Sequence, residues 1–316
     1  MRLIVEPVRR AWKRIEAFWF GPSDPRSYAL VRIAYAFAAI VNWFDLWSRR
    51  AELFTDGAMV RAQTVQAANP DHVLLSAFFL VRGDAGVTVL FLVAGAAILG
   101  LGLGYQTRVC ALIAFLWHCS YSTRLIPFDC AHDALFRVHG LVLLISPIAL
   151  VWSADAQRRG PGSTGGRSSP VVPSYGLTLI RWQVLLLYVV AFWSKCADAY
   201  WRDGEALPYF WLSTYSTVAD PALARHEIAG AVASYAALFV EPVIPILLWV
   251  RRTRWLGFAV GIAFHTAIAA TSNLTVFSLV AVSAYPAFLE REDFRRFETL
   301  FARSNGRDLE RERDAG

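Results

Sequence analysis

The chain has 316 residues, of which 56% are hydrophobic and only 18% charged, with a net charge of +6 and a mean hydropathy of +0.40. Soluble domains carry roughly 45–50% apolar and about 25% charged residues, so this composition excludes a soluble globular protein and leaves no room for a large aqueous domain. Twelve Trp and eleven Tyr suit the two interfacial belts of a membrane protein, and four Cys without paired spacing argue against a disulfide scaffold.

Residues 1–22 are read as a basic amphipathic interfacial helix. Arg9, Arg10, Lys13, Arg14 and Glu16 interrupt what would be the apolar core of a secretory signal. Val5, Val8, Trp12, Ile15 and Trp19 recur at steps of three and four, which places them on one helix stripe, and a basic helix with Trp on its apolar face lies on an anionic membrane surface. Apolar stretches near the roughly 20 residues needed to cross a bilayer then follow about eight times, near 27–47, 84–104, 107–123, 132–152, 176–196, 229–250, 254–272 and 273–290. The third is short, and only Thr271-Ser272-Asn273 separates the last two. Residues 72–80 are too short to span and are expected to be re-entrant or interfacial. A Gly/Ser-rich linker, GPGSTGGRSSP within 157–173, joins the first four stretches to the last four. Phe294, Phe297 and Phe301 suggest a second interfacial helix opening the charged tail 291–316.

Basic residues concentrate in alternate connections. The N-terminal segment, the 153–175 loop, the 251–254 turn and the tail are rich in Arg, whereas 197–228 mixes Arg202 and Arg225 with five acids. The positive-inside rule then gives an all-α polytopic bundle of about eight spans with both termini cytoplasmic, expected in a bacterial inner membrane. The long 197–228 connection, with its own aromatic and charged residues, is expected to fold over a site as a lid.

Ionisable residues at membrane depth are functional-site hypotheses. Lys195 is one of only two lysines against twenty-nine arginines, and Lys can give up a proton where Arg cannot; snorkelling from a span end is its structural alternative. His132, His139 and His265 are expected in the outer half of the bundle. A hydrogen bond to a neighbouring helix would account for each equally well. Glu241 lies near mid-membrane, where it could instead serve backbone groups freed by Pro242 and Pro245. Arg32 and Arg181 lie close enough to cytoplasmic ends to snorkel, and no chemistry is assigned to them. His118, Cys119, Cys130 and His132 form an H-C-x10-C-A-H pattern that matches no common zinc motif, so no metal site is expected. No P-loop, GxGxxG, HExxH or GxSxG motif occurs.

Several stretches together resemble one family. DPRSYALVRIAYAF (24–37) followed by LFTDGAM (53–59) resembles the opening of the HTTM (horizontally transferred transmembrane) domain, shared with the membrane region of vitamin K-dependent γ-carboxylases. YVVAFWSKCADAYWRDGEAL (188–207) resembles its A-G-x-x-K…W-x-D/E-G-x-x-L signature, with Ala191-Phe192 in place of Ala-Gly. FHTAIAATSNLTVFSLVAVSAYPAFL (264–289) resembles its F-H…FS-x-x-M-x-x-x-x-P block, and HDALFRVHGLVLLISP (132–147) ahead of WSADA (152–156) is a weaker match.

The resemblance implies an HTTM-like transmembrane domain over 23–290. In γ-carboxylases a lysine at this motif position is taken as the base that deprotonates vitamin K hydroquinone, and Lys195 is the position that matches. His132 and His265 resemble histidines of the family and join Lys195 as implied catalytic residues. His139, Glu241, Trp201 and Asp203 are the implied cofactor-binding residues. The implied cofactor is a reduced quinone of the vitamin K or menaquinone type. The expected partners are the lipid bilayer, a quinol and a peptide or protein substrate, with no nucleic acid. The carboxylases continue into a large extramembrane region, whereas this chain ends about 26 residues after its last expected span. A non-catalytic protein that keeps only the fold, serving peptide export, immunity or partner assembly, therefore stays open beside the enzyme.

Overall fold

The structure, a computed structural model, describes residues 2–68, 70, 76–81, 83–128, 130–160, 171–218 and 221–299. The expected linker residues 161–170, residues 72–75 of the 72–80 segment and the tail from 300, with Phe301, lie outside the described residues, while Ala77–Phe79 form a 3-10 turn with Phe78 buried.

Helix α1 (Arg2–Phe20) is followed by a two-residue strand, β1 (Pro22–Ser23), and by α2 (Pro25–Ser48). Asp24 caps α2 by accepting a hydrogen bond from Arg26 N at 3.0 Å, and Pro25 occupies the first turn, where its missing N–H is no loss. Two short helices, α3 (Arg50–Phe54) and α4 (Ala62–Ala68), precede the hairpin of α5 (Gly83–Leu103) and α6 (Thr107–Arg124). Then come α7 (Ala131–Ile145), α8 (Ala154–Arg158), β2 (Val172–Pro173) and α9 (Tyr175–Ala197). Three short helices, α10 (Ala199–Arg202), α11 (Ala206–Trp211) and α12 (Pro221–Arg225), lead to α13 (Glu227–Trp249), α14 (Arg254–Thr271) and α15 (Thr275–Val282), with a 3-10 turn at Tyr285–Phe288.

Among the described residues, four helices are long and apolar enough to cross a membrane: α2, α5, α9 and α13. The other four expected stretches are helical too, but shorter or broken. The stretch expected to run to 152 stops at Ile145, because Pro147 disfavours helical geometry in the residue before it and Ser146 is extended, with ψ 158°. The last stretch breaks after Val282 and continues as the 3-10 turn.

Helices α2, α5, α6 and α7 pack in succession, as do α9, α13, α14 and α15. Contacts of α2 and α7 with α15, and of α2 and α9 with the Tyr285–Phe288 turn, join the two groups around one core that includes Tyr28, Phe91, Phe136, Ile180 and Tyr285. The antiparallel pairing of Pro22–Ser23 with Val172–Pro173 ties the starts of α2 and α9 together.

Three arginines depart from a purely snorkelling role. Arg32 is fully buried, donating to Ile148 O at 2.6 Å and Trp152 O at 2.5 Å, so it satisfies carbonyls that the early end of α7 leaves outside a helix. Arg181 donates from Nε to Ala287 O at 2.7 Å. Arg254 is buried against Asp293 at 2.7 Å and Glu290 at 2.9 Å.

Those acids begin the helical stretch 291–299 and dock it on the protein. Phe294 is buried there, beneath the Arg26 guanidinium at 4.4 Å and beside Trp152, while Phe297 meets the Trp255 ring. Phe294 thus packs on protein rather than serving the lipid-facing stripe expected of it. On α1, by contrast, Trp12 (66% exposed) and Ile15 of the expected stripe are uncovered; the side chains of Val5 and Val8 lie outside the described residues.

Candidate functional site

Lys195 lies seven residues after Tyr188 on α9, so the two share a helix face. Its Nζ donates a hydrogen bond to Glu241 Oε1 on α13, and the two side chains are 23% and 6% exposed. Glu241 Oε2 is buried without a hydrogen-bond partner. Neither carboxyl oxygen of Glu241 meets a carbonyl freed by Pro242 or Pro245, since Oε1 bonds Lys195 and Oε2 bonds nothing. Glu241 serves Lys195 instead.

The pair brings together a lysine near a helix end and a glutamate expected near mid-membrane. Glu241 is fourteen residues past the start of α13 at Glu227, about 21 Å by the helix rise. The start of α13 therefore overhangs the end of α9. The chain after α9 packs along that overhang. Asp198 caps α10 by accepting from Tyr200 N at 2.9 Å, which sets the Trp201 ring with its centroid 4.8 Å from Lys195 Nζ. Gly204, at φ +77°, turns the chain where an added Cβ would lie 3.1 Å from Ala231 Cβ on α13. Tyr235 OH donates to Arg202 O at 2.8 Å, and Leu207 N donates to Ser234 Oγ at 3.0 Å. Farther on, Thr217 N donates to Thr271 O and Asn273 N to Tyr215 O. The described part of the 197–228 connection is thus a packed cover over Lys195, stitched to the N-terminal half of α13 and to the α14–α15 turn.

One turn pair deeper on α9, the Tyr188 hydroxyl lies 2.8 Å from His265 Nε2 of α14 and 2.5 Å from the Tyr285 hydroxyl. His265 Nδ1 is buried with no hydrogen-bond partner. A chain of exchangeable protons, Tyr285–Tyr188–His265, therefore starts on the helix that carries Lys195.

The remaining expected residues are placed elsewhere. His132 Nε2 lies 3.5 Å from Asp133 Oδ1 at the start of α7, near the Phe136 ring, and no contact among the described residues joins it to Lys195 or His265. His139 is buried on α7 with both ring nitrogens lacking hydrogen bonds. Asp203 is exposed at the end of α10 and makes none of the Lys195 contacts. Trp193, two residues before Lys195, is 75% exposed, so its ring does not wall the lysine.

Tyr188 and Tyr285 were absent from the expected site. Their signal is the i, i+7 spacing from Tyr188 to Lys195 and a phenol hydroxyl within an apolar run. His118 was noted only for its spacing to cysteine. It is fully buried, stacked on Phe136, with Nδ1 2.6 Å from Ala114 O and 3.4 Å from the Tyr35 hydroxyl.

The family model of the HTTM domain matches residues 20–292, a span that includes Lys195, Glu241, Trp201, Tyr188, His265 and Tyr285. The chain belongs to the HTTM family. No solved structure matches it. In this HTTM protein the lysine of the 188–207 signature is the partner of Glu241, and the signature's Trp201 is the ring laid against that lysine.

Proposed function

We propose that this HTTM protein is a multi-pass membrane enzyme in which Lys195 and Glu241 act as a proton-exchanging pair on a reduced quinone. The observation that carries the reading is the hydrogen bond from Lys195 Nζ to a carboxylate sunk in α13 beneath a packed cover. In a medium of low dielectric, such a pair has access to two arrangements, ammonium with carboxylate or amine with carboxylic acid. The second leaves Lys195 with a lone pair able to take a hydroxyl proton as a general base. A bound quinol would supply that acidic hydroxyl and the reducing equivalents. Glu241 Oε2, buried and unbonded, offers an acceptor beside the lysine, and the Trp201 ring offers a flat apolar wall. Tyr188, two turns along α9 from Lys195, bonds both His265 and Tyr285 and offers a separate store of exchangeable protons on the same helix.

The reading places eight helical segments across a bacterial inner membrane, with the Arg-rich N-terminus, 251–254 turn and tail in the cytoplasm. The cover over Lys195 is then on the outer side. A peptide or protein acceptor belongs to the same scheme.

Purified protein incubated with reduced menaquinone or vitamin K should give oxygen-dependent epoxide, and Lys195→Arg should abolish it while the protein stays folded, because guanidinium keeps the charge but accepts no proton. Neither binding nor oxidation of either quinol by the wild-type protein would overturn the enzyme reading. One observation favours the non-catalytic alternative: Lys195 is already neutralised by Glu241, as in a purely structural ion pair.

A further inference from the structure

We propose that Cys130, His132 and Asp133, at the start of α7, form a binding site for a zinc-type divalent metal ion. The thiol, an imidazole nitrogen and a carboxylate oxygen of these residues all lie within 4.8 Å of one another. They come from one turn of chain whose shape is already set. Cys130 is the N-cap residue of α7 in extended geometry, and its backbone N–H donates to Asp133 Oδ2 at 2.9 Å.

That bond occupies one carboxylate oxygen and aims the other. Asp133 is 5% exposed, and its Oδ1 is buried with no hydrogen bond of ordinary geometry, Tyr121 and His132 being its polar neighbours, a condition that calls for an explanation. The atom facing it is His132 Nε2 at 3.5 Å, too long for a hydrogen bond. Two ligands on one tetrahedral zinc, each at about 2.0–2.1 Å, stand roughly 3.4 Å apart. The observed separation suits two donors on one ion, and equally a direct His132–Asp133 contact, which the metal titration below separates. Cys130 is exposed, and its Sγ donates to Phe128 O at 3.4 Å, a contact that the thiolate would give up on taking the third position. Mixed sulfur, nitrogen and oxygen donors select zinc or cobalt over calcium or magnesium, and three protein ligands leave a fourth position open to water or an incoming group. The other half of the H-C-x10-C-A-H pattern takes no part, because His118 is enclosed by Phe136, Tyr35 and Ala114 O.

This site is independent of the Lys195 chemistry and is tested without any activity assay. Full-length protein, purified under reducing conditions and stripped with chelator, is titrated with Co2+ and, separately, with Zn2+. One ion per chain is expected, with thiolate-to-cobalt charge-transfer absorption in the near ultraviolet and the visible bands of tetrahedral cobalt. Cys130→Ser should abolish the charge-transfer band. His132→Ala and Asp133→Asn should each weaken binding by about tenfold or more. Cys196→Ser and Lys195→Arg should leave it unchanged. Absence of stoichiometric metal in the wild-type protein would overturn the proposal, as would a charge-transfer band that survives Cys130→Ser. Loss of the band in Cys196→Ser would also overturn it by moving the thiolate elsewhere.

Discussion

Lys195 and Glu241 are 46 residues apart in the chain and share a hydrogen bond between the end of α9 and the middle of α13. The partners are unequally buried, and removing either leaves the other without its counter-charge. We expect Lys195→Met to lower stability by about 3 kcal/mol, the low end for a broken buried pair because the lysine is partly exposed. The double variant Lys195→Met/Glu241→Leu should recover most of that loss. Thermal unfolding in detergent, followed by tryptophan fluorescence, measures both. With Glu241→Leu alone completing the cycle, a double-variant loss equal to the sum of the two single losses would show that the pair carries no coupling.

Trp201 separates a cover from a passive connector. Trp201→Ala removes the ring from Lys195, a contact expected to contribute about 0.5–2 kcal/mol. It should also speed reaction of Lys195 with an amine-directed reagent, read by peptide mass spectrometry. An unchanged labelling rate would mean that the ring does not shield the amine.

Gly261 holds the Tyr285–Tyr188–His265 chain in register. A Cβ at this position would lie 2.4 Å from the Tyr285 hydroxyl and 2.6 Å from its ring, closer than any real contact. Gly261→Ala should therefore displace Tyr285 and destabilise the protein by about 1–3 kcal/mol, as overpacking does. Tyr285→Phe, which keeps the ring, should not add its own full loss to that of Gly261→Ala, because the two changes meet in one place. Full additivity in melting experiments would refute the coupling.

Asp155 predicts a pH dependence outside the membrane. Burial raises its pKa, but hydrogen bonds from the Thr107 hydroxyl at 2.6 Å, Thr107 N at 2.8 Å and Gln106 N at 2.9 Å, with Arg159 nearby, lower it by more, and the net shift is downward. A carboxyl whose folded pKa lies below its unfolded value, about 3.9, stabilises the fold above that value and loses the contribution as pH falls through the folded one. The melting temperature of the wild-type protein should therefore exceed that of Asp155→Asn at pH 7. The gap should close as the pH drops below about 4. A gap that persists at low pH would assign the difference to shape rather than charge.

The exposed stripe of α1 predicts membrane attachment. Trp12→Ser with Ile15→Ser should weaken binding of the isolated 1–22 peptide to anionic vesicles, read by tryptophan fluorescence against a Trp19-only reference. Trp12 and Ile15 are exposed among the described residues, and apolar area plus basic charge sets such binding.

Composition and periodicity by themselves determined the membrane class, the positions of the helical stretches and the amphipathic character of the N-terminal helix, since these depend on local pattern and on the backbone's need to bond within a span. The motif around Lys195 located the family from residues alone. What the tertiary structure decided was partnership. Counting residues from a span end put Lys195 at the surface and Glu241 at mid-membrane, because it assumed that every helix starts and stops at the same level. The overhang of α13, filled by Trp201 and Gly204, breaks that assumption. Arg32 looked free to snorkel for the same kind of reason: the unbonded carbonyls of Ile148 and Trp152 that bury it arise 116 and 120 residues away, where Pro147 ends a helix early. Depth along one helix is a local property and is written in the sequence. Which buried polar group meets which is set by packing between distant helices, where each unpaired donor or acceptor must find a partner in a medium without water.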